Sequence, residues 1–232
     1  QQLIGRGLVE PVDDLRVTNP ATHPKLLDWL AQDFVSHGFR LKHTIALICN
    51  SAAYQRSSST VAVNESDTQF CSHAITRPLE AEVIADAIGD VTGIPLPTGT
   101  APRAIALTDN RFDSPSLDVL GRCDRSESCT TSQNAATSLT RSLHLINGPL
   151  INQRLASPDG RLHQLLQQHD DNSQLLNELY LLTLCRVPTS EEREHWLAQI
   201  SAMGGVEPSL RTNFFEDLLW ALITSDAFIT NH

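Results

Sequence analysis

The sequence predicts an all-α fold, a bundle of about eight or nine helices carrying one long irregular loop at about 94–138. Three observations carry this expectation. Apolar residues recur at helical spacing along most of the chain, most clearly at Leu210, Phe214, Phe215, Leu218, Leu219, Leu222 and Ile223, a wide stripe that is expected to be buried. Proline, glycine and capping residues punctuate the periodic stretches where helices start and stop. Strand-like alternation is almost absent.

The first helix is announced by Thr22 as N-cap and Pro24 in the opening turn; Leu26, Leu27, Leu30, Ala31, Phe34 and Val35 follow, and Gly38 stops it. A second helix through Leu41, Ile45, Ile48 and Ala52 comes after only a few residues, which predicts an αα-hairpin. Arg56 to Phe70 is polar and patternless, as suits an exposed connection. Helix resumes at Pro78 or Leu79 with Val83, Ile84, Ala87, Ile88 and Val91, and ends near Gly93. Within the long loop that follows, Arg103 to Leu107 is expected to be a short extended piece and Leu117 to Leu120 a single turn. Asn147-Gly148-Pro149 separates two helices, and Ser157-Pro158-Asp159-Gly160 turns between two short ones. A helix through Leu175, Leu176, Leu179, Tyr180 and Leu182 closes at Arg186-Val187-Pro188. Thr189 with Glu192 three residues later is a capping box for the next helix, the hydroxyl and carboxylate each accepting a backbone N–H.

Composition bounds function. The 232 residues are ample for a core, and are expected to form a single helical domain, 1–232. The opening Gln1 and the lack of a signal peptide lead us to expect the C-terminal part of a longer polypeptide. With 41% hydrophobic and 19% charged residues the chain has globular composition, and no apolar run is long enough for a transmembrane helix. A net charge of -10 argues against sequence-independent nucleic-acid binding, which needs basic surface to displace counterions. Of five cysteines only Cys123 and Cys129 are close together, in a loop-like segment where a disulfide is a candidate; Cys49 and Cys185 fall among apolar neighbours and are expected to be buried thiols. No CxxC or CxxCH occurs, so neither a zinc ribbon nor a c-type haem attachment is encoded, and no cofactor is expected in this chain.

Five blocks, in order, carry a resemblance: GRGLVEPVDDLRVTNPATHP and its continuation from Gly5, RPLEAEVIADAIGDVTG from Arg77, LDVLGRCDRSESCTTSQNAATS and its continuation from Leu117, LYLLTLCRVPTSEE from Leu179, and DLLWALITSDAFITNH from Asp217. Together they resemble the C-terminal planctomycete-specific domain of unknown function found downstream of planctomycete cytochrome C-like domains. The resemblance spans nearly the whole chain. It implies a periplasmic or extracellular location, haem c only in an upstream cytochrome C-like domain, and sulfatase-like secreted proteins as partners. Relative to that family, proline often stands where Cys123 is and an acidic, cysteine-containing string lies near Cys129, so a disulfide here would be particular to this chain.

The candidate functional residues are few. No HExxH and no pair of histidines four apart is present, and His163 and His169, six apart, fall on different helix faces, so no local metal site is expected. His23 and His37, at the two ends of the first helix, are read as capping residues. Asp13, Asp14, His43 and His232 are the catalytic candidates, the two acids from a polar opening loop and the two histidines from family-matching strings. Arg6, Arg16, Arg122, Arg125 and Arg186 are the candidates for ligand or partner contact, since a planar guanidinium pairs bidentately with carboxylate or sulfate. The expected function is that of a helical accessory or interaction domain that docks a partner domain or a polymer through the 94–138 loop. The alternatives are a hydrolase or redox enzyme built from the opening loop with His43 and His232, and a structural component of a cell-surface assembly.

Overall fold

The computed structural model describes residues 1–99, 101–109, 112–122, 135–202 and 208–231. It is all-α, as the periodicity predicts: the described strands are the two-residue segments Arg77–Pro78 and Thr230–Asn231. Backbone contacts divide the chain into two compact units, the first made of residues 1–77 and the chain end from Asn231, the second of Pro78–Thr230.

The first unit holds two helices, α1 (Pro24–Ser36) and α2 (Leu41–Cys49), packed as the expected hairpin. Pro24 occupies the first turn of α1, but the N-cap position falls on His23, whose side chain caps nothing. Thr22 is not the cap: its N–H and its Oγ1 both donate to the Leu8 carbonyl, at 2.8 and 3.2 Å. That exchange of roles is one of many side-chain ties in this unit. Asn19 Nδ2 donates to the carbonyls of Glu10 and Asp14 at 3.1 and 3.0 Å, and Arg77 reaches the carbonyls of Gln1, Gln2 and Leu3. The Asp67 carboxylate accepts the N–H groups of Gln69, Phe70 and Ser72 at 2.9, 2.8 and 3.0 Å, which folds the expected polar connection onto itself. Neither α1 nor α2 buries a single residue.

The second unit is built differently. Its helices are α3 (Ala81–Thr92), α4 (Pro115–Leu120), α5 (Ala135–Asn147), α6 (Pro149–Leu155), α7 (Arg161–Gln168), α8 (Asn172–Leu184), α9 (Ser190–Ala202), α10 (Pro208–Ile223) and the single turn α11 (Asp226–Ile229). One apolar core joins them: Ile84 and Ile88 of α3, Leu117 of α4, Leu175 and Leu176 of α8, and Phe215 and Leu219 of α10 are wholly buried. Each such side chain stabilises the fold by about 1.5–3 kcal/mol through removal from water. Of the terminal stripe, Phe215, Leu218, Leu219, Leu222 and Ile223 are buried as expected, Phe214 is partly buried, and Leu210, in the first turn of α10, stays 45% exposed.

Three arginines tie loops to this core. Arg154 donates to the carbonyls of Ile94 and Leu150, at 2.9 and 2.8 Å, and Arg211 to those of His169 and Leu166, at 2.6 and 3.3 Å, while Arg141 reaches the Leu79 carbonyl at 3.1 Å. Within the long loop, Ala104–Ala106 is a 3-10 turn, not the extended piece expected. The cause is Asp86 on α3, whose two oxygens accept the N–H groups of Ala104 and Ile105 at 2.7 and 3.0 Å and so start the turn as an N-cap does. Gly148, between α5 and α6, leaves no room for a β-carbon, which would meet the His144 carbonyl oxygen. Cys185 is also displaced from expectation: it caps α8 with a left-handed backbone at φ 54° and is exposed, because the helix ends one residue before it.

Candidate functional site

The turn between α1 and α2 gathers the most concentrated chemistry in the first unit. Residue 38 is glycine at φ 67°, and Phe39 follows at φ 59°, a left-handed conformation that costs a bulky side chain energy. Two left-handed residues in succession reverse the chain at once, with the Phe39 N–H donating to the Phe34 carbonyl at 2.9 Å and the two rings edge to face at 5.5 Å. The first turn of α2 therefore returns beside the last turn of α1. His43 comes to lie flat against His37, ring centroids 3.8 Å apart and planes 18° from parallel.

Both imidazoles face one carboxylate. His43 Nε2 lies 3.0 Å from Asp33 Oδ2, and His37 Nδ1 lies 3.2 Å from Asp33 Oδ1. His37 Nδ1 is also 2.9 Å from the Asp33 carbonyl oxygen, which is the capping contact expected of it. The carboxylate is sheltered, its side chain 14% exposed, while the rings of His37 and His43 are 46% and 34% exposed. An aspartate and a histidine one helical turn apart, with a second histidine on the following helix, make a recognisable donor set. The signal was in the sequence as Asp33-x3-His37 followed by a predicted hairpin, but a scan for paired histidines passes over it because the aspartate supplies one of the two helical positions.

The other described candidates lie apart from this cluster. Asp14 takes Arg16 in a bidentate pair, both contacts at 2.6 Å, and that guanidinium lowers the Asp14 carboxyl below its ordinary range. Asp13 is exposed. Arg6 donates to the Thr68 carbonyl at 2.9 Å, and its Nε is buried with no partner. Arg122 is mostly buried and binds the Phe112 carbonyl and Asp118, at 2.7 and 2.5 Å, which closes the C-terminus of α4. Arg186 grips Glu192 bidentately at 2.7 and 2.8 Å and lies over the Tyr180 ring. His43 is thus brought to Asp33 and His37, and Asp14 to Arg16. Cys123, Arg125, Cys129 and His232 lie outside the described residues. In the second unit a cavity of about 430 Å³ is lined by Leu155, Glu216, Asp217 and Trp220, with the Trp220 indole N–H spent on the Ile146 carbonyl at 3.1 Å.

Residues 1–200 match the family described as PSD1, protein of unknown function (DUF1553). The chain belongs to the PSD1 family. No curated protein and no solved structure matches this PSD1 chain. Among the described residues no helix is long and apolar enough to cross a membrane.

Proposed function

We propose that this PSD1 chain is a helical docking module, not an enzyme in its own right, of an extracytoplasmic cytochrome-linked protein, and that it seats a partner domain on the α1–α2 hairpin. The observation that carries this reading is the state of the hairpin's apolar residues. Leu26, Trp29, Val35, Leu41 and Ile45 are 44%, 50%, 57%, 65% and 39% exposed on two adjoining helices that bury nothing. Five large apolar side chains left open on two short adjoining helices favour an interaction surface over a purely solvated one. The family resemblance makes a cytochrome C-like domain the first partner to test, with sulfatase-like secreted proteins after it. The docking reading is favoured over a hydrolase because Asp14 and His43, two of its required groups, are occupied by Arg16 and Asp33.

The test is hydrogen exchange of the purified chain, with and without a planctomycete cytochrome C-like domain. Slowed exchange across 24–49, lost in the double variant Leu26→Ser, Trp29→Ser, is the expected result. Unchanged exchange in the hairpin alongside binding elsewhere, or no binding at all, overturns the proposal.

A further inference from the structure

We infer that Asp33, His37 and His43 form a binding site for a divalent transition-metal ion of the zinc class. The donor set is one carboxylate oxygen and two imidazole nitrogens, the borderline ligands that such ions select and that magnesium or calcium do not. Its dimensions fit. A tetrahedral ion with bonds of about 2.0–2.1 Å holds its ligand atoms roughly 3.3 Å apart. Asp33 meets the two rings through different oxygens, Oδ1 3.2 Å from His37 Nδ1 and Oδ2 3.0 Å from His43 Nε2, and with one ligand atom taken from each residue all three lie within 4.8 Å of one another. The remaining edge, between the two nitrogens, belongs to rings half open to solvent and able to turn.

In the structure the two rings are stacked, 18° from parallel, so taking up an ion requires them to turn until both nitrogens face it; binding displaces any proton held on His37 Nδ1 or His43 Nε2 into solvent. Three protein ligands leave a fourth position facing water, the pattern of an open site in place of a closed structural one. The strained Gly38-Phe39 turn fixes the approach of His43, whereas the 3.2 Å contact of Ser36 Oγ is to His37 Nδ1 itself and gives way when the ion binds. This site is independent of whether the hairpin's apolar face docks a partner.

The test uses the whole chain after chelator treatment and dialysis, titrated with Zn2+ by calorimetry and with Co2+ by absorbance. One ion per chain is expected, with the Co2+ spectrum free of a thiolate charge-transfer band. His43→Ala and Asp33→Asn should each weaken binding by at least about tenfold, since loss of even an outer partner costs 10–100-fold. His195→Ala, in the second unit, should leave it unchanged. In a long-range 1H–15N spectrum Zn2+ should shift His37 Nδ1 and His43 Nε2 and no other imidazole pair together. Should either variant lose its helical circular dichroism, His37→Ala replaces it. No stoichiometric binding, binding indifferent to these substitutions, or a thiolate band in the Co2+ spectrum overturns the assignment.

Discussion

The two units of this chain hold themselves together by different means. In the second, α3, α8 and α10 bury Ile84, Ile88, Leu175, Leu176, Phe215 and Leu219 in one core, and the arginines around it serve mainly to pin loops. In the first, the described core reduces to Val9, and order comes from carboxylates and arginines bonding to backbone. Yet the sequence of α1 is about as amphipathic as that of α3, which buries Ile84, Ile88 and Val91. The difference teaches that periodicity fixes which face of a helix is apolar, and that burial of the face depends on what the rest of the fold brings to it. In α1 that cover is partial: Leu27, Leu30 and Phe34 are partly sheltered, while Leu26, Trp29 and Val35 stay open.

The contrast has a direct consequence for stability. Phe215→Ala removes a wholly buried ring and should cost about 3–5 kcal/mol, enough to threaten folding altogether. Leu26→Ala, on a half-exposed position of α1, should change stability by no more than about 0.5 kcal/mol, helped by alanine's helix propensity. Denaturant unfolding followed by far-ultraviolet circular dichroism measures both. If Leu26→Ala costs as much as Phe215→Ala, the α1 face is buried in solution. Repeating the measurement on diluted protein then shows whether self-association covers it.

Helical class, the hairpin, the Gly93 stop and the Thr189–Glu192 box were all legible in the sequence, because each depends on residues within one or two turns of each other. What escaped depends on contacts between distant segments. Thr22 is a good N-cap by type, but Leu8, fourteen residues away, takes both of its donors. The 3-10 turn at Ala104 needs Asp86 of the preceding helix. The Asp33–His37–His43 cluster is intermediate: half of it is local, and the other half follows only from a two-residue left-handed reversal in which the second position is phenylalanine, a residue no turn rule favours there. Arg122 and Arg186 stand out by residue type, but their partners, the Phe112 carbonyl and the Glu192 carboxylate of α9, become apparent only in the fold.

Asp67 tests the claim that the first unit is held by polar ties. Hydrogen bonds from Ser72, Phe70 and Gln69 depress its carboxyl well below the ordinary aspartate value of 3.8. A carboxylate with a depressed folded value stabilises the loop fully above the unfolded value, and that contribution is lost as pH falls below about 4. Amide protection at Gln69, Phe70 and Ser72 should therefore drop between pH 5 and 2 while the α8 amides hold, and Asp67→Asn should reduce it at every pH and flatten the profile. Protection in this loop that tracks the α8 amides through the acid range would mean that the first unit shares the stability of the apolar core.

The smallest effect belongs to the second unit's own polar device. Arg186 first, then the Thr189 N–H at 2.7 Å, lower the Glu192 carboxyl from 4.5 to about 2, and the Glu192 N–H returns a bond to Thr189 Oγ1 at 3.2 Å. The sign follows as for Asp67: the contribution is present above pH 4.5 and disappears as pH falls toward 2. The group is partly solvated, so the whole box is worth about 1 kcal/mol, and Thr189→Ala should cost that much at neutral pH. Glu192→Gln should remove the acid-dependent part while leaving the core transition cooperative, since no apolar contact is altered. A loss of cooperativity in Glu192→Gln would place α9 outside the core's folding unit, and would move the boundary between polar and apolar stabilisation from the edge of the second unit into its interior.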